Sequence, residues 1–307
     1  MDRTEDTEDT GMRPRTAEAG RRTAVWIASV DSDEPQLLFE TAELLLEAPN
    51  WSHDGRSLLL NGAGRLWRLD VEAPSGLAEI PLDGVPDINN DHVLSPDGRT
   101  VYVSGMDGHL YAAPVAGGKG VRLTADDGTL HFLHGVSPDG RTLAYVEIAR
   151  GADGSPGRLA LMPAAGGPGK AVDTGEGHLD GPEYSPDGEW IYCNTETFTE
   201  APGHAQIARL PAAGSVLRRV HTSDTVDWFP HLSPDGAHAA YVSFPPGTLG
   251  HPANLDVTVR LVRTDAWAVP VRTFPLFGGQ GTMNVNSWSP DSRRFAFVSY
   301  PLDGRAG

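Results

Sequence analysis

The 307-residue sequence contains one cysteine, Cys193, so no intrachain disulfide can form and no thiolate cluster can hold a metal. Cys193 follows Tyr192 in a strand-like run, which predicts a buried, unreactive thiol rather than a nucleophile. No apolar run is long enough to span a bilayer. No long stretch carries the periodicity of an amphipathic helix. Basic residues are scarce, 24 Lys and Arg against 41 Asp and Glu, for a net charge of −17. That balance argues against a nucleic-acid backbone or an anionic membrane as partner, and the simplest role of the acidity is solubility. Residues 1–22 mix acids and bases without an apolar core; they read as a disordered tail with no secretory h-region, and the expected location is cytoplasmic. There is no Gly-rich phosphate loop opening a helix, no Gly-x-Ser-x-Gly elbow and no His-Glu-x-x-His.

What the sequence does contain is a repeat. Ser-Pro-Asp-Gly stands at Ser95, Ser137, Ser185 and Ser233, with variants beginning at Ser52 and Ser289. The leading serines fall 42 to 56 residues apart, a period that fits one four-stranded propeller blade. Pro presets φ, Asp bonds nearby backbone N–H groups and Gly accepts positive φ, so each copy reads as a tight turn. An apolar or aromatic residue precedes each copy (Trp51, Leu94, Val136, Tyr184, Leu232, Trp288) and a short aliphatic-aromatic strand follows it. Third and fourth strands complete most units, and the 36 glycines and 25 prolines suit so many turns.

The sixth unit stops two strands short, while runs at 23–30 and 36–40 are left over at the start. Placing them in the last blade closes the ring and protects both sheet edges. The predicted fold is all-β: a single six-bladed propeller over 23–307, built of four-stranded antiparallel blades, after a tail at 1–22.

The innermost strand of each blade should end in the turn, which brings the residues just before it to the central channel. Those positions are unusually polar: Glu47, Asn50, Asn90, Asp91, His92, His131, His134, His178, Asp180, Glu183, Asp227, Trp228, His231, Gln280, Asn284 and Asn286. One reading gathers His92, His134, Glu183 and His231 around a divalent metal (Zn, Mn or Fe), since three imidazoles and a carboxylate suit such an ion. His92, Glu183 and His231 are then the candidate catalytic groups, and an unliganded histidine a general base. Asp91, Asp180, Asp227, Trp228, Gln280, Asn284 and Asn286 are the candidate ligand-binding residues, with Trp228 placed to stack on a sugar ring. The alternative is a water-filled channel whose polar residues are merely solvated. Register bears on the choice: His92 and His134 precede the motif serine by three residues, Glu183 and His231 by two, and successive strand residues point oppositely unless the strand bulges. Two inserts, at 244–255 with His251 and at 196–206 with His204, read as solvated loops or as lids. Arg260 reads as solvent-facing or as a carboxylate binder.

The repeated Ser-Pro-Asp-Gly with its following strand resembles the TolB-like propeller family over nearly the whole chain. That resemblance implies six blades and no particular activity. The segments around Asn89–His92, Leu179–Tyr184, Asp227–His231 and 278–284 resemble a subgroup related to oligogalacturonate lyases, which are metal-dependent propeller enzymes. The resemblance implies a small polar ligand, an oligosaccharide or sugar acid, at the channel mouth, with metal-assisted lyase or hydrolase chemistry. The alternative it allows is a non-catalytic scaffold that grips a peptide or protein on the propeller top.

Overall fold

Each Ser-Pro-Asp-Gly copy closes through its own side chains. The Ser95 hydroxyl donates to Asp97 Oδ1 at 2.6 Å and accepts from Thr100 N at 3.0 Å, while Asp97 Oδ1 also accepts from Arg99 N at 3.1 Å. Gly98 sits at φ +68°, where a side chain would be strained. The serine-to-aspartate bond recurs at 2.5–2.6 Å from Ser52, Ser137, Ser185, Ser233 and Ser289. The repeated aspartates are therefore turn groups, as expected.

These turns join the first two strands of every blade in the computed structural model, which describes residues 11–151 and 154–302. Blade one comprises Leu46–Trp51, Ser57–Gly62, Arg65–Asp70 and Leu77–Ile80; blade two comprises Ile88–Leu94, Thr100–Gly105, Leu110–Pro114 and Val121–Arg122. Blade three is Thr129–Val136, Thr142–Ala149, Arg158–Pro163 and Lys170–Ala171; blade four is Leu179–Tyr184, Trp190–Thr195, Gln206–Pro211 and Arg218–Arg219. Blade five is Val226–Leu232, His238–Phe244, Ala253–Arg263 and Pro270–Gly279. All pairings within blades are antiparallel. No helix occurs among the described residues, hence none long and apolar enough to cross a membrane.

Blade six closes the ring from both ends of the chain. Thr23–Ser29 pairs with Arg294–Ser299 (Val25 opposite Val298) and with Gln36–Thr41, as the leftover N-terminal strands predict. Its innermost position departs from a regular strand. Residues 282–288 are held by Val298 N to Thr282 O, Ala296 N to Ser287 O and the Trp288–Phe295 bridge. Asn284 Oδ1 takes Gly281 N at 2.9 Å and Asn286 Oδ1 takes Trp288 N at 3.0 Å, so side chains replace ladder bonds here.

The core lies in the seams between blades. Trp228, Phe274, Phe295 and Phe297 join blades five and six; Leu46, Leu58, Val298 and Tyr300 join six and one; Leu59, Ile88 and Val101 join one and two. Similar clusters join the remaining pairs, and Cys193 is buried in the seam of blades three and four. Burial pushes its thiol pKa far up, which fits an unreactive sulfur. Each fully buried Leu or Phe is worth about 1.5–3 kcal/mol, so the seams supply the drive for closure.

The innermost strands of blades one to five share a distortion that positions the site. Register breaks between Glu47 and Asn50, Ile88 and His92, Leu133 and Gly135, Asp180 and Glu183, and Trp228 and His231. In three blades the break holds a residue at positive φ before a proline: Ala48 at +51°, Gly181 at +59° and Phe229 at +57°. Pro49, Pro182 and Pro230 cannot donate to a ladder, so the strand bulges there. Of residues 1–22, the first ten lie outside the described residues, and 11–22 make contacts through Arg15, Arg21 and Arg22.

Candidate functional site

Each inner strand runs from one mouth of the channel to the turn at the other. The turns form a ring: His53 Nε2 contacts Ser95 O at 2.8 Å, and Gly140 and Gly188 lie against Pro96 and Pro138. The bulge splits the predicted residues between the two ends. Glu183, His231 and Asn286 belong to the turn end. Asp91, Asp180, Trp228 and Gln280 belong to the opposite mouth, where the strands begin.

At the turn end the polar groups are spent on one another. Glu183 Oε2 takes His231 Nδ1–H at 2.6 Å, and Oε1 takes Asn286 Nδ2 at 2.7 Å and Leu232 N at 3.1 Å. Trp288 Nε1 donates to His231 O at 3.0 Å. This network binds blades four, five and six together. Burial holds the His92 pKa down at about 4, and its Nε2 lies 3.4 Å from Leu59 O. His134 belongs to a different cluster, below. The metal set His92, His134, Glu183 and His231 is therefore not brought together. Among the described residues no group of three His, Cys, Asp or Glu side chains is arranged to hold a metal ion.

At the strand-start mouth three imidazoles surround one carboxylate. His134 Nε2 donates to Asp180 Oδ1 at 2.9 Å. His178 Nε2 and His251 Nε2 stand 3.7 and 3.6 Å from Asp180 Oδ2, beyond a direct hydrogen bond. His178 Nδ1 accepts from Gly157 N at 2.8 Å, which places its proton on the Nε2 that faces Asp180. His251 Nδ1 hydrogen-bonds to Gln280 Oε1, and Gln280 N donates to Pro252 O at 3.1 Å. Asp91 lies behind, 4.0 Å from His134 Nδ1, which also faces Asn284 O at 3.4 Å.

The charges follow from this packing. Burial opposes protonation of His134, but Asp91 and Asp180 outweigh it and lift its pKa to about 9. Burial also opposes ionisation of Asp180, yet His134 and the neighbouring imidazoles hold its carboxyl well below the ordinary range. Asp91 is raised to about 6, by burial first and by Asp180, against the pull of His134. At neutral pH the mouth thus holds a buried imidazolium flanked by carboxylates.

Above this cluster opens a cavity of about 730 Å³ lined by His178, Glu196, Trp228, His251, Pro252 and Gln280. His251 comes from the insert at 244–255, which folds over the mouth. Its ring lies 4.4 Å from Trp228 and 5.1 Å from Phe229. That contact corrects one expectation: a face of Trp228, itself 1% exposed, is already covered by an imidazole. Asp227 also departs from its expected place. Its carboxylate takes the hydroxyls of Ser243 (2.6 Å), Ser223 (2.6 Å) and Thr225 (2.9 Å) and sits inside the blade, away from the channel. Arg260 joins it there, donating to Ser243 Oγ at 2.8 Å. Asn284 Oδ1 is spent on Gly281 N and Asn286 Oδ1 on Trp288 N, while Asn286 Nδ2 donates to Glu183 and to Leu232 O, so neither side chain is presented to the cavity.

No family model matches the chain. An uncharacterized protein of Agrobacterium fabrum is 37% identical over 283 residues, 91% of this chain and 92% of its own length. A solved structure from Agrobacterium tumefaciens, provisionally named TolB, superposes with a TM-score of 0.82 at 37% identity, covering 92% of this chain and 99% of that one. More distant structures share the fold alone. An oligogalacturonate lyase in complex with manganese gives a TM-score of 0.51 at 18% identity over 75% of this chain and 64% of the lyase. TolB from Acinetobacter baumannii gives 0.51 at 14% identity over 91% of this chain and 63% of that one.

Proposed function

The chain belongs to the TolB-like β-propeller family, and on that premise we propose that it binds a small anionic polyol, of the sugar-acid class, at the strand-start mouth of its channel. One observation carries the reading: the Nε2 atoms of His178 and His251 both approach Asp180 yet stop 3.7 and 3.6 Å away. Gly157 N fixes the His178 proton on Nε2, and Gln280 Oε1 takes the His251 Nδ1–H and leaves the His251 Nε2 an acceptor; neither Nε2 is saturated by the carboxylate. A ligand entering the cavity meets one pre-aimed N–H, on His178, for its carboxylate and one acceptor nitrogen, on His251, for a hydroxyl, and its other hydroxyls reach Glu196 and the Gln280 amide. Orientation of these nitrogens in advance lowers the entropic cost of binding.

The likeness to an oligogalacturonate lyase guides the choice of ligand to try first and assigns no reaction here. The four side chains expected to hold a divalent metal do not fit one, because both oxygens of Glu183 are already hydrogen-bonded and His92 lies on a backbone carbonyl. No step is therefore routed through a metal.

The test is isothermal titration calorimetry of the full chain with galacturonate and its short oligomers, against the neutral galactose series. The reading expects saturable heat with the acids and weaker heat with neutral sugars. No binding of any uronate at millimolar concentration, or equal binding by a His178→Ala, His251→Ala double variant, rejects it. Capture of a peptide at the same mouth with no sugar-acid binding would favour the scaffold alternative instead.

A further inference from the structure

On the opposite wall of the same mouth, Glu47 is 3% exposed and points inward from the bulge of blade one. Its Oε2 accepts from Asn61 Nδ2 at 3.0 Å, and its Oε1 lies 3.4 Å from Asn90 Nδ2. Arg15, from the segment that precedes the first strand, places Nη1 2.6 Å from Glu47 Oε1 and 2.7 Å from Gln280 O. The guanidinium carbon lies 5.3 Å from the centre of the Tyr300 ring. Tyr300 is itself anchored by its hydroxyl to Leu46 O at 3.2 Å.

The backbone around this spot makes room for the contact. Gly281 sits at φ +88°, and a Cβ there would meet Glu47 Oε1 at 2.5 Å and the Tyr300 hydroxyl at 2.4 Å. Ala48, at φ +51°, donates its N–H to Gly281 O at 2.8 Å and so clamps blade one to blade six beside the carboxylate. A buried carboxylate, a carbonyl oxygen, an aromatic face and a side-chain-free floor together match the planar, multi-donor guanidinium group. All these parts come from blades one, two and six and from the link between blades five and six. None comes from the segment that delivers Arg15.

Residues 16–20, which connect Arg15 to the start of the ring, are exposed and include no strand. Such a tether holds its arginine by local concentration as much as by affinity, and a competitor of the same chemistry can replace it. A buried carboxylate stripped of its cation is unfavourable, so the departure of Arg15 calls for a substitute.

We propose that Glu47, Gln280 O and Tyr300 form a guanidinium-binding site which Arg15 fills in cis and which accepts the arginine of a peptide in trans. This site borrows the backbone oxygen of Gln280, whose side chain lines the sugar-acid cavity, but the proposal does not depend on what that cavity binds.

The test uses a fluorescent peptide with the sequence of residues 12–18 and its counterpart lacking the Arg15 side chain, titrated by anisotropy into full-length variants. Arg15→Ala should bind the arginine peptide at least tenfold more tightly than the unmodified chain, whose own arginine competes. It should ignore the counterpart, and Glu47→Gln added to Arg15→Ala should abolish binding. N-acetyl-arginine amide should raise the Tm of Arg15→Ala at concentrations where the lysine amide does not. Should Arg15→Ala not fold, Arg15→Lys, which keeps charge without the planar fork, takes its place and should be displaced by the arginine peptide. Equal binding to the variant and the unmodified chain, or binding unaffected by Glu47→Gln, overturns the proposal.

Discussion

His134 and Asp180 face each other at 2.9 Å across the seam of blades three and four, and Asp91 of blade two stands 4.0 Å from the other nitrogen of the same imidazole. One cation on blade three thus bridges carboxylates from the blades on either side of it, two and four, at the point where three sheets meet. The cluster sets both the charge of the mouth and part of the stability of the ring.

A pH dependence follows. A histidine whose folded-state pKa, here about 9, exceeds the unfolded value of ~6.5 binds its proton more tightly when folded. Its stabilisation is complete below ~6.5 and drains away as pH rises through the folded value. The shift corresponds to roughly 3 kcal/mol. Asp180 is held low, so its titration lies at acid pH and does not offset this loss. The melting temperature should fall between pH 6.5 and 9 and fall less steeply in His134→Gln. Parallel curves for the two proteins would count against the assignment.

Ligand binding should separate from folding at the mouth. The side chains of His178 and His251 are 22% and 26% exposed, so neither is part of a seam. His178→Ala should weaken uronate binding about 10- to 100-fold, the loss of a hydrogen bond to a carboxylate, and His251→Ala about 3- to 10-fold, the loss of a hydrogen bond to a hydroxyl. Their melting temperatures should stay close to that of the unmodified chain. Calorimetric titration alongside thermal melting checks both halves. Unchanged affinity in either variant would remove that imidazole from the site.

The turns carry a second, opposite pH signature. The Ser95 hydroxyl and the Arg99 N–H hold the Asp97 carboxyl below its ordinary range, and the equivalent aspartates at 54, 139, 187, 235 and 291 are lowered too. Depressed carboxylates stabilise the fold above the unfolded value of ~3.9 and cease to do so as pH falls through the folded value. Asp97→Asn should destabilise at pH 7 and converge with the unmodified chain near pH 2. Chemical denaturation at the two pH values tests this, and a difference that persists in acid would show that the charge is not the cause.

The architecture was legible because turn chemistry repeats. Six copies of one turn announce six blades, and two unpaired strands at the start announce how the ring closes. The site was less legible because its geometry depends on bulges. Alternation along a regular strand would send Asp180 and Glu183 to opposite faces, but Gly181-Pro182 inserts a break that instead sends them to different ends of the channel. Pro49, Pro182 and Pro230 carried that signal in the sequence. Asp227 was misplaced because Ser243, which takes up its charge, is its cross-strand partner and is apparent only once register is known. His251 lay in an insert without periodicity. Arg15 lay in a stretch of mixed charge where nothing local distinguishes one arginine from the next.

Glu183 provides the sharpest contrast between a structural tie and a metal ligand. Its two oxygens take three hydrogen bonds, from His231, Leu232 and Asn286, and these span three blades. Removing the carboxylate leaves these buried donors unsatisfied, at a cost of about 1–3 kcal/mol each. Glu183→Ala should therefore lower the denaturation midpoint strongly, and Glu183→Gln, which keeps the shape and one acceptor, should lower it less. Since all of this stabilisation is made within the chain, treatment with a chelator should leave the melting temperature where it was. A chelator-dependent drop in melting temperature, abolished in Glu183→Ala, would instead make Glu183 a ligand and require the His231 ring to turn away from it.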